Sequence, residues 1–224
     1  MNSKLSLPLF PLNTVLFPGQ VLPLHIFEKR YRHMIGQCIE QELPFGVALI
    51  QEGEEVGGPA KPYSVGTTAR ITQVERLDDE RLNIMTVGEM RFRIVSLRHE
   101  PEGYLRASAI LWPWLPGDES TTLTLAQNVR NRLRRYVEML SRASGVPLEA
   151  DDLPEQPAAL ACLTAIALQV AQTEKQKLLT LPSIATLLSK EVGLLRRESR
   201  MLQVMIASRV RPPDDDTPLV FSIN

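Results

Sequence analysis

The stretch Leu7-Pro8-Leu9-Phe10-Pro11-Leu12-Asn13-Thr14-Val15-Leu16-Phe17-Pro18-Gly19-Gln20-Val21-Leu22-Pro23-Leu24-His25-Ile26-Phe27-Glu28-Lys29-Arg30-Tyr31 decides the architecture of this chain. Its apolar runs are broken by Pro8, Pro11, Pro18 and Pro23. Proline offers no ladder donor, so the runs read as short edge strands and tight turns. Only Lys4 precedes the stretch and no run reaches the ~20 apolar residues of a membrane span, so neither a secretory signal nor an anchor is expected. Two strands between residues 5 and 26, joined by a turn region at 13–20, should lead into a helix from residue 27 to about 42. Tyr31, Met34, Ile35, Cys38 and Ile39 share one face of that helix.

Working outward, residues 45–50 form a compact apolar strand, and residues 51–64 form a loop rich in glycine, proline and glutamate. Residues 67–77 and 82–97, joined at Asp78-Asp79-Glu80-Arg81, read as a hairpin, and residues 104–112 as a further strand. Pro113, Pro116 and Gly117 end the sheet where the apolar period changes from two to about 3.6. Everything beyond is helical. One stripe runs from Leu123 to Leu140, a second through Leu160, Leu163, Ala167 and Val170, and a third through Ile184, Leu187, Leu188, Val192, Leu195 and Leu202. The middle helix, 158–171, is apolar nearly all round and should be the inner member of a bundle. Ser183 is a candidate N-cap for the last helix, and the tail from Arg211 should be extended and solvated.

The N-terminal motifs, together with Val65-Gly66-Thr67-Thr68-Ala69-Arg70-Ile71 and Gly88-Glu89-Met90-Arg91-Phe92-Arg93-Ile94, resemble the Lon protease N-terminal (substrate-binding) domain family in a stand-alone form lacking the ATPase and peptidase modules. The resemblance implies an α+β fold: a small PUA-like β pseudobarrel with one packed helix, followed by a C-terminal α-helical bundle. The expected division is 1–116 for the barrel, 117–210 for the bundle and 211–224 for the tail. Members of the family tend to carry glycine where Glu80 stands, so the turn at 78–81 should change type or strain slightly.

Composition sets limits on function. A chain of 224 residues with a formal charge of −1 lacks the long-range positive field of a dedicated nucleic-acid binder. Cys38 and Cys162 read as reduced, packed thiols of a cytoplasmic protein. Gly53-Glu54-Glu55-Val56-Gly57-Gly58 has phosphate-loop spacing, but Pro59-Ala60 stands where Lys-Ser/Thr would be needed, so no ATP site is expected. Ser189 and Lys190 are helical neighbours that point different ways and cannot form a serine-lysine dyad. His25, His33 and His99 show no ligand spacing, so neither metal nor cofactor is expected, and no catalytic residue is assigned.

Arginines cluster on the first bundle helix (Arg130, Arg132, Arg134, Arg135, Arg142) and on the last (Arg196, Arg197, Arg200). They read either as a nucleic-acid or acidic-partner contact, or as solvated faces partnered by Glu138, Glu191 and Glu198. Arg91 and Arg93 alternate with Phe92 and Ile94, which places both arginines on the polar side of their strand, as structural or solvent-facing residues, with Phe92 inward. Glu28 and Arg30 read either as part of a polypeptide-binding rim or as a clamp fixing the helix.

The functional expectation is a non-catalytic polypeptide-binding module. Its candidate binding residues are Glu28 and Arg30 with Glu54, Glu55 and Val56 of the 51–64 loop, where an extended peptide could add to a sheet edge. The expected partners are unfolded or partly folded polypeptide and a protease or chaperone in trans, with no membrane. The alternatives are an RNA-binding PUA-like domain or a small-ligand-binding protein.

Overall fold

The computed structural model describes residues 4–58 and 60–210. Strands β1 (Lys4–Leu12), β2 (Val21–Ile26), β3 (Phe45–Gly53), β4 (Ala60–Pro62), β5 (Val65–Arg76), β6 (Leu82–His99) and β7 (Leu105–Leu111) enclose helix α1 (Lys29–Glu40) in chain order. Helices α2 (Glu119–Ser144), α3 (Pro157–Ala167), α4 (Gln172–Leu179) and α5 (Ile184–Val210) follow. This is the mixed barrel-and-helix architecture expected from the sequence.

The barrel closes because β1 lies between β7, which it meets antiparallel, and β3, which it meets in parallel through Leu9–Leu12 and Gly46–Leu49. β6 is long enough to serve two neighbourhoods. Its first half lies between β5 and β2, and its second half pairs with β7, with β5 reaching only as far as Arg93. Register shifts between Thr67 and Ala69, between Ile71 and Gln73, and between Ile94 and Ser96 bend these strands enough to curl the sheet. Phe92 is fully buried in the barrel, and its ring lies where a side chain on Gly46 or Gly66 would have to go. Opposite it, α1 packs Tyr31, Met34, Ile35 and Cys38 against Phe10, Phe45 and Ile84.

The helices are built from legible local signals. Asp118 caps α2 by accepting from the Thr121 N–H at 2.7 Å, and Thr121 and Ser120 together hold its carboxyl down at about 2. Gly145 ends α2 at φ 74°, the left-handed geometry that glycine takes without penalty. The Ser183 hydroxyl accepts from the Thr186 N–H at the start of α5, as a cap should.

Several expectations need correction. The 51–64 loop is mostly a small hairpin: β3 runs on to Gly53 and β4 returns at Ala60–Pro62, leaving only a tight tip. A strand paired on one side needs no apolar alternation, which is why Gln51 and Glu52 did not read as strand. The middle helix stops at Ala167, Leu168 turns extended, and α4 then forms as a separate short helix. Arg91 does not face solvent. It is 2% exposed, donates from Nη1 to the carbonyls of Leu179 (2.6 Å) and Leu181 (2.9 Å), and lies against Trp112 and Trp114. The outer face of β6 is covered by the bundle at that point, and burial lowers the Arg91 pKa to about 10. Arg93 is exposed as expected and lies over the outer Trp112 ring. Glu191 is not a surface partner of arginine; it is fully buried on α5. The tail from Arg211 lies outside the described residues.

Barrel and bundle share one apolar cluster, in which Val15, Phe17, Leu49 and Val65 meet Leu133, Tyr136, Leu160, Leu187 and Leu195. Gln172 accepts from the Val15 N–H, and Gln176 donates to the Val65 carbonyl, so α4 is stitched to the barrel by two side-chain amides. Cys38 and Cys162 are free and buried, and burial lifts their thiols to about 11 and about 12. Such thiols are inert at neutral pH.

Candidate polypeptide-binding site

Edge geometry starts with β2. Among the described residues this strand pairs on one side only, with β6, and Pro23 in its middle is tolerated because an outward-facing edge has no partner to donate to. Val21, Pro23 and His25 are exposed along it, while Ile26 is buried and anchors its end.

At that end the chain turns through Phe27 and Glu28 into α1. Glu28 occupies the N-cap position, yet its carboxylate caps nothing. It turns outward instead, accepting from Arg30 Nε at 3.1 Å and from the Gly57 N–H at 3.3 Å. The neighbouring Glu55 carboxylate accepts from the Asn13 N–H at 2.9 Å. Two glutamates therefore fasten the 54–58 tip across the start of α1 and the end of β1. Arg30 lies over the Tyr31 ring, and the Tyr31 ring stacks on Phe10 at 4.1 Å. Burial raises the Tyr31 phenol above its ordinary range; Arg30 opposes the shift, and Glu28 and Glu55 reinforce it.

These contacts frame a cleft of about 140 Å³. Its apolar wall comes from Phe10, Leu24, Phe27 and Val56, and its polar lip from Glu28 and Glu55. Phe27 and Val56 are 47% and 52% exposed and line the same cleft, so together they offer apolar surface at its mouth.

Of the five residues singled out from the sequence, Glu28, Glu55 and Val56 converge on this cleft, and Arg30 joins them through Glu28. Glu54 is exposed and stands outside it. Sequence reasoning passed over Phe27 and the β2 edge. The signal was present in Phe27, a large apolar residue placed immediately before a charged helix start. No group of three or more His, Cys, Asp or Glu side chains among the described residues could hold a metal ion. No helix among them is long and apolar enough to cross a membrane.

The family model described as the ATP-dependent protease La (LON) substrate-binding domain matches residues 6–197. Lon protease 1 of Thermus thermophilus is 30% identical over 221 residues, covering 95% of this chain and 27% of that protein. Lon protease of Anaeromyxobacter dehalogenans is 28% identical over 201 residues, covering 88% of this chain and 24% of that protein. The chain thus spans about a quarter of the length of these curated relatives. Among solved structures, a Lon N-terminal domain protein from Xanthomonas campestris superposes with a TM-score of 0.59 at 25% identity, covering 84% of this chain and 98% of its own. The N-terminal domain of Lon protease from the Mycobacterium avium complex reaches 0.66 at 18% identity, covering 85% and 98%, and speaks for the fold alone. The barrel closed by β1, the single packed helix α1 and the trailing bundle, matched from residue 6 to 197, place this chain in the LON substrate-binding domain family.

Proposed function

We propose that this chain is a non-catalytic recruiting module that captures extended segments of unfolded or partly folded polypeptide in the cytoplasm and presents them to a protease or chaperone acting in trans. The observation that carries this reading is the free edge of β2 running into an apolar cleft whose lip bears Glu28 and Glu55. An added strand takes main-chain hydrogen bonds from the β2 edge on either side of Pro23, which offers no donor, and an apolar side chain at its end enters the cleft beside Phe27 and Val56. Glu55, which has no ion-pair partner among the described residues, then favours a basic residue next to that apolar anchor, whereas Glu28 is already paired with Arg30. The interface is small, so affinity should be micromolar, on the order of −8 kcal/mol.

The test is titration of labelled chain with an extended apolar-basic peptide, read by backbone chemical shifts. Perturbations should follow β2, Phe27 and residues 54–58. Phe27→Asp and Val56→Asp should each weaken binding about tenfold or more without lowering the melting temperature, because both side chains are already exposed. Shifts confined to the helical bundle would overturn the proposal.

A further inference from the structure

Between α2 and α5 lies a separate concavity of about 320 Å³. Arg132 and Arg135 enter it from one face of α2, and Arg196 and Arg200 from one face of α5, at the three- and four-residue spacings that stack side chains along a seam. Met139 and the buried Leu195 lie beneath them. Elsewhere Arg30, Arg32, Arg70, Arg98, Arg106 and Arg197 each pair with a carboxylate. The four seam arginines pair with none among the described residues. Of the acids that sequence spacing offered, Glu191 is committed to the core and Glu198 to Arg197, while Glu138 is exposed on α2 and forms no ion pair with the seam arginines among the described residues. Arg132 has only the Asn128 side-chain oxygen, at 2.7 Å. Its guanidinium is held below the usual arginine range by burial and then by Arg196 and Arg135, so the cations sense one another.

We propose that this seam binds a compact phosphoanion, a chain of two or more phosphoryl groups, either free or at the end of a nucleotide. Four guanidiniums present only donors, and the remaining polar lining, the Ser199 hydroxyl and the Gln203 amide, can donate as well. A carboxylate brings one charge and two oxygens, so four separate acidic side chains would have to crowd into the cup. An oligophosphate carries several charges and many acceptor oxygens on one short chain, and guanidinium forks match phosphoryl oxygens in pairs. The near-neutral chain lacks the long-range positive field that a long nucleic acid needs, so a compact ligand that these four cations can surround is favoured.

The experiment is calorimetric titration of the full chain with sodium tripolyphosphate, and separately with ATP in the absence of metal. The expected result is one saturable site per chain that weakens as salt rises, and at least about a tenfold loss of affinity in the Arg132→Gln/Arg196→Gln double variant. That variant should fold with an unchanged or higher melting temperature, because it relieves like-charge crowding. Arg142→Gln, outside the seam, should bind as wild type. Equal binding of the two anions would identify the phosphate chain as the ligand, and tighter binding of ATP would add the nucleoside. Equal affinity of wild type and double variant would overturn the proposal. So would displacement of tripolyphosphate by poly-glutamate at equal or lower charge concentration, since the ligand would then be an acidic polypeptide.

Discussion

Replacing Glu191 with glutamine should stabilise the protein at neutral pH and do nothing at acid pH. Glu191 is fully buried on α5, and neither carboxylate oxygen has a hydrogen-bond partner among the described residues. Burial pushes its pKa well above the ordinary 4.5, and a glutamine of the same shape removes the ionisation while leaving the packing in place. Because the folded carboxyl holds its proton more tightly than the unfolded one, the folded chain binds more protons from about pH 4.5 upward. Wild-type stability is therefore eroded as pH rises from there to the folded-state pKa, with a limiting slope of about 1.4 kcal/mol per pH unit for one proton. Glu100, Glu174 and Asp118, whose pKa values are lowered, contribute slopes of the opposite sign, but both proteins carry them and the difference cancels them. Urea unfolding of both proteins at about pH 4.5, 5.5, 6.5 and 7.5 measures that difference directly. It should begin near zero and exceed about 1 kcal/mol within the first unit or two of pH. A difference that stays constant across the series would refute the reasoning, because it would mean Glu191 ionises as readily in the fold as in water.

Other substitutions test the fold. Phe92→Ala should cost about 3–5 kcal/mol by urea unfolding, since Gly46 and Gly66 line the void and have no side chains to fill it. Glu80 sits at φ 64° and its exposed carboxylate pairs with Arg32 at 2.6 Å, so Glu80→Gly should change stability by less than about 1 kcal/mol in thermal melts at low salt and raise it at high salt, where the pair is screened and the relief of strain remains. Arg91→Met should cost about 2–4 kcal/mol in chemical denaturation, because the Leu179 and Leu181 carbonyls would lose their donor while remaining covered.

Much of this fold is legible in residue order, and the misses have specific causes. Proline spacing located β1 and β2, and the change of period at residues 113–118 located the end of the sheet. At Glu80 the expected conflict between residue and turn is visible as a left-handed backbone, with the hairpin itself intact. Alternation along β6 sorted Phe92 inward correctly, but alternation states which face a residue takes and not what covers that face. For that reason the pattern left Arg91 structural or solvent-facing, and the bundle that covers its outward side makes it structural. Glu191 lies seven residues after Ile184 on the same stripe as Leu187, Leu188 and Leu195, so periodicity pointed inward while residue type pointed outward, and periodicity prevailed. In the candidate cleft, the glutamates stood out as charge beside apolar anchors. The free edge of β2 depends on which strands pair, a long-range fact that no local pattern carries.

The Arg91 contact bears on how the molecule comes apart. The carbonyls it holds close the end of α4 and the turn after it, so a barrel residue terminates a bundle helix, while Trp112 and Trp114 enclose the cation from the sheet side. Neither half can leave the other without exposing a desolvated guanidinium, two indoles and two uncapped carbonyls together. Heat and denaturant should therefore meet a single cooperative unit, with fluorescence of the two tryptophans and loss of helical circular dichroism following one coincident transition. A fragment ending at residue 116 would carry that surface uncovered and should associate with itself rather than remain monomeric.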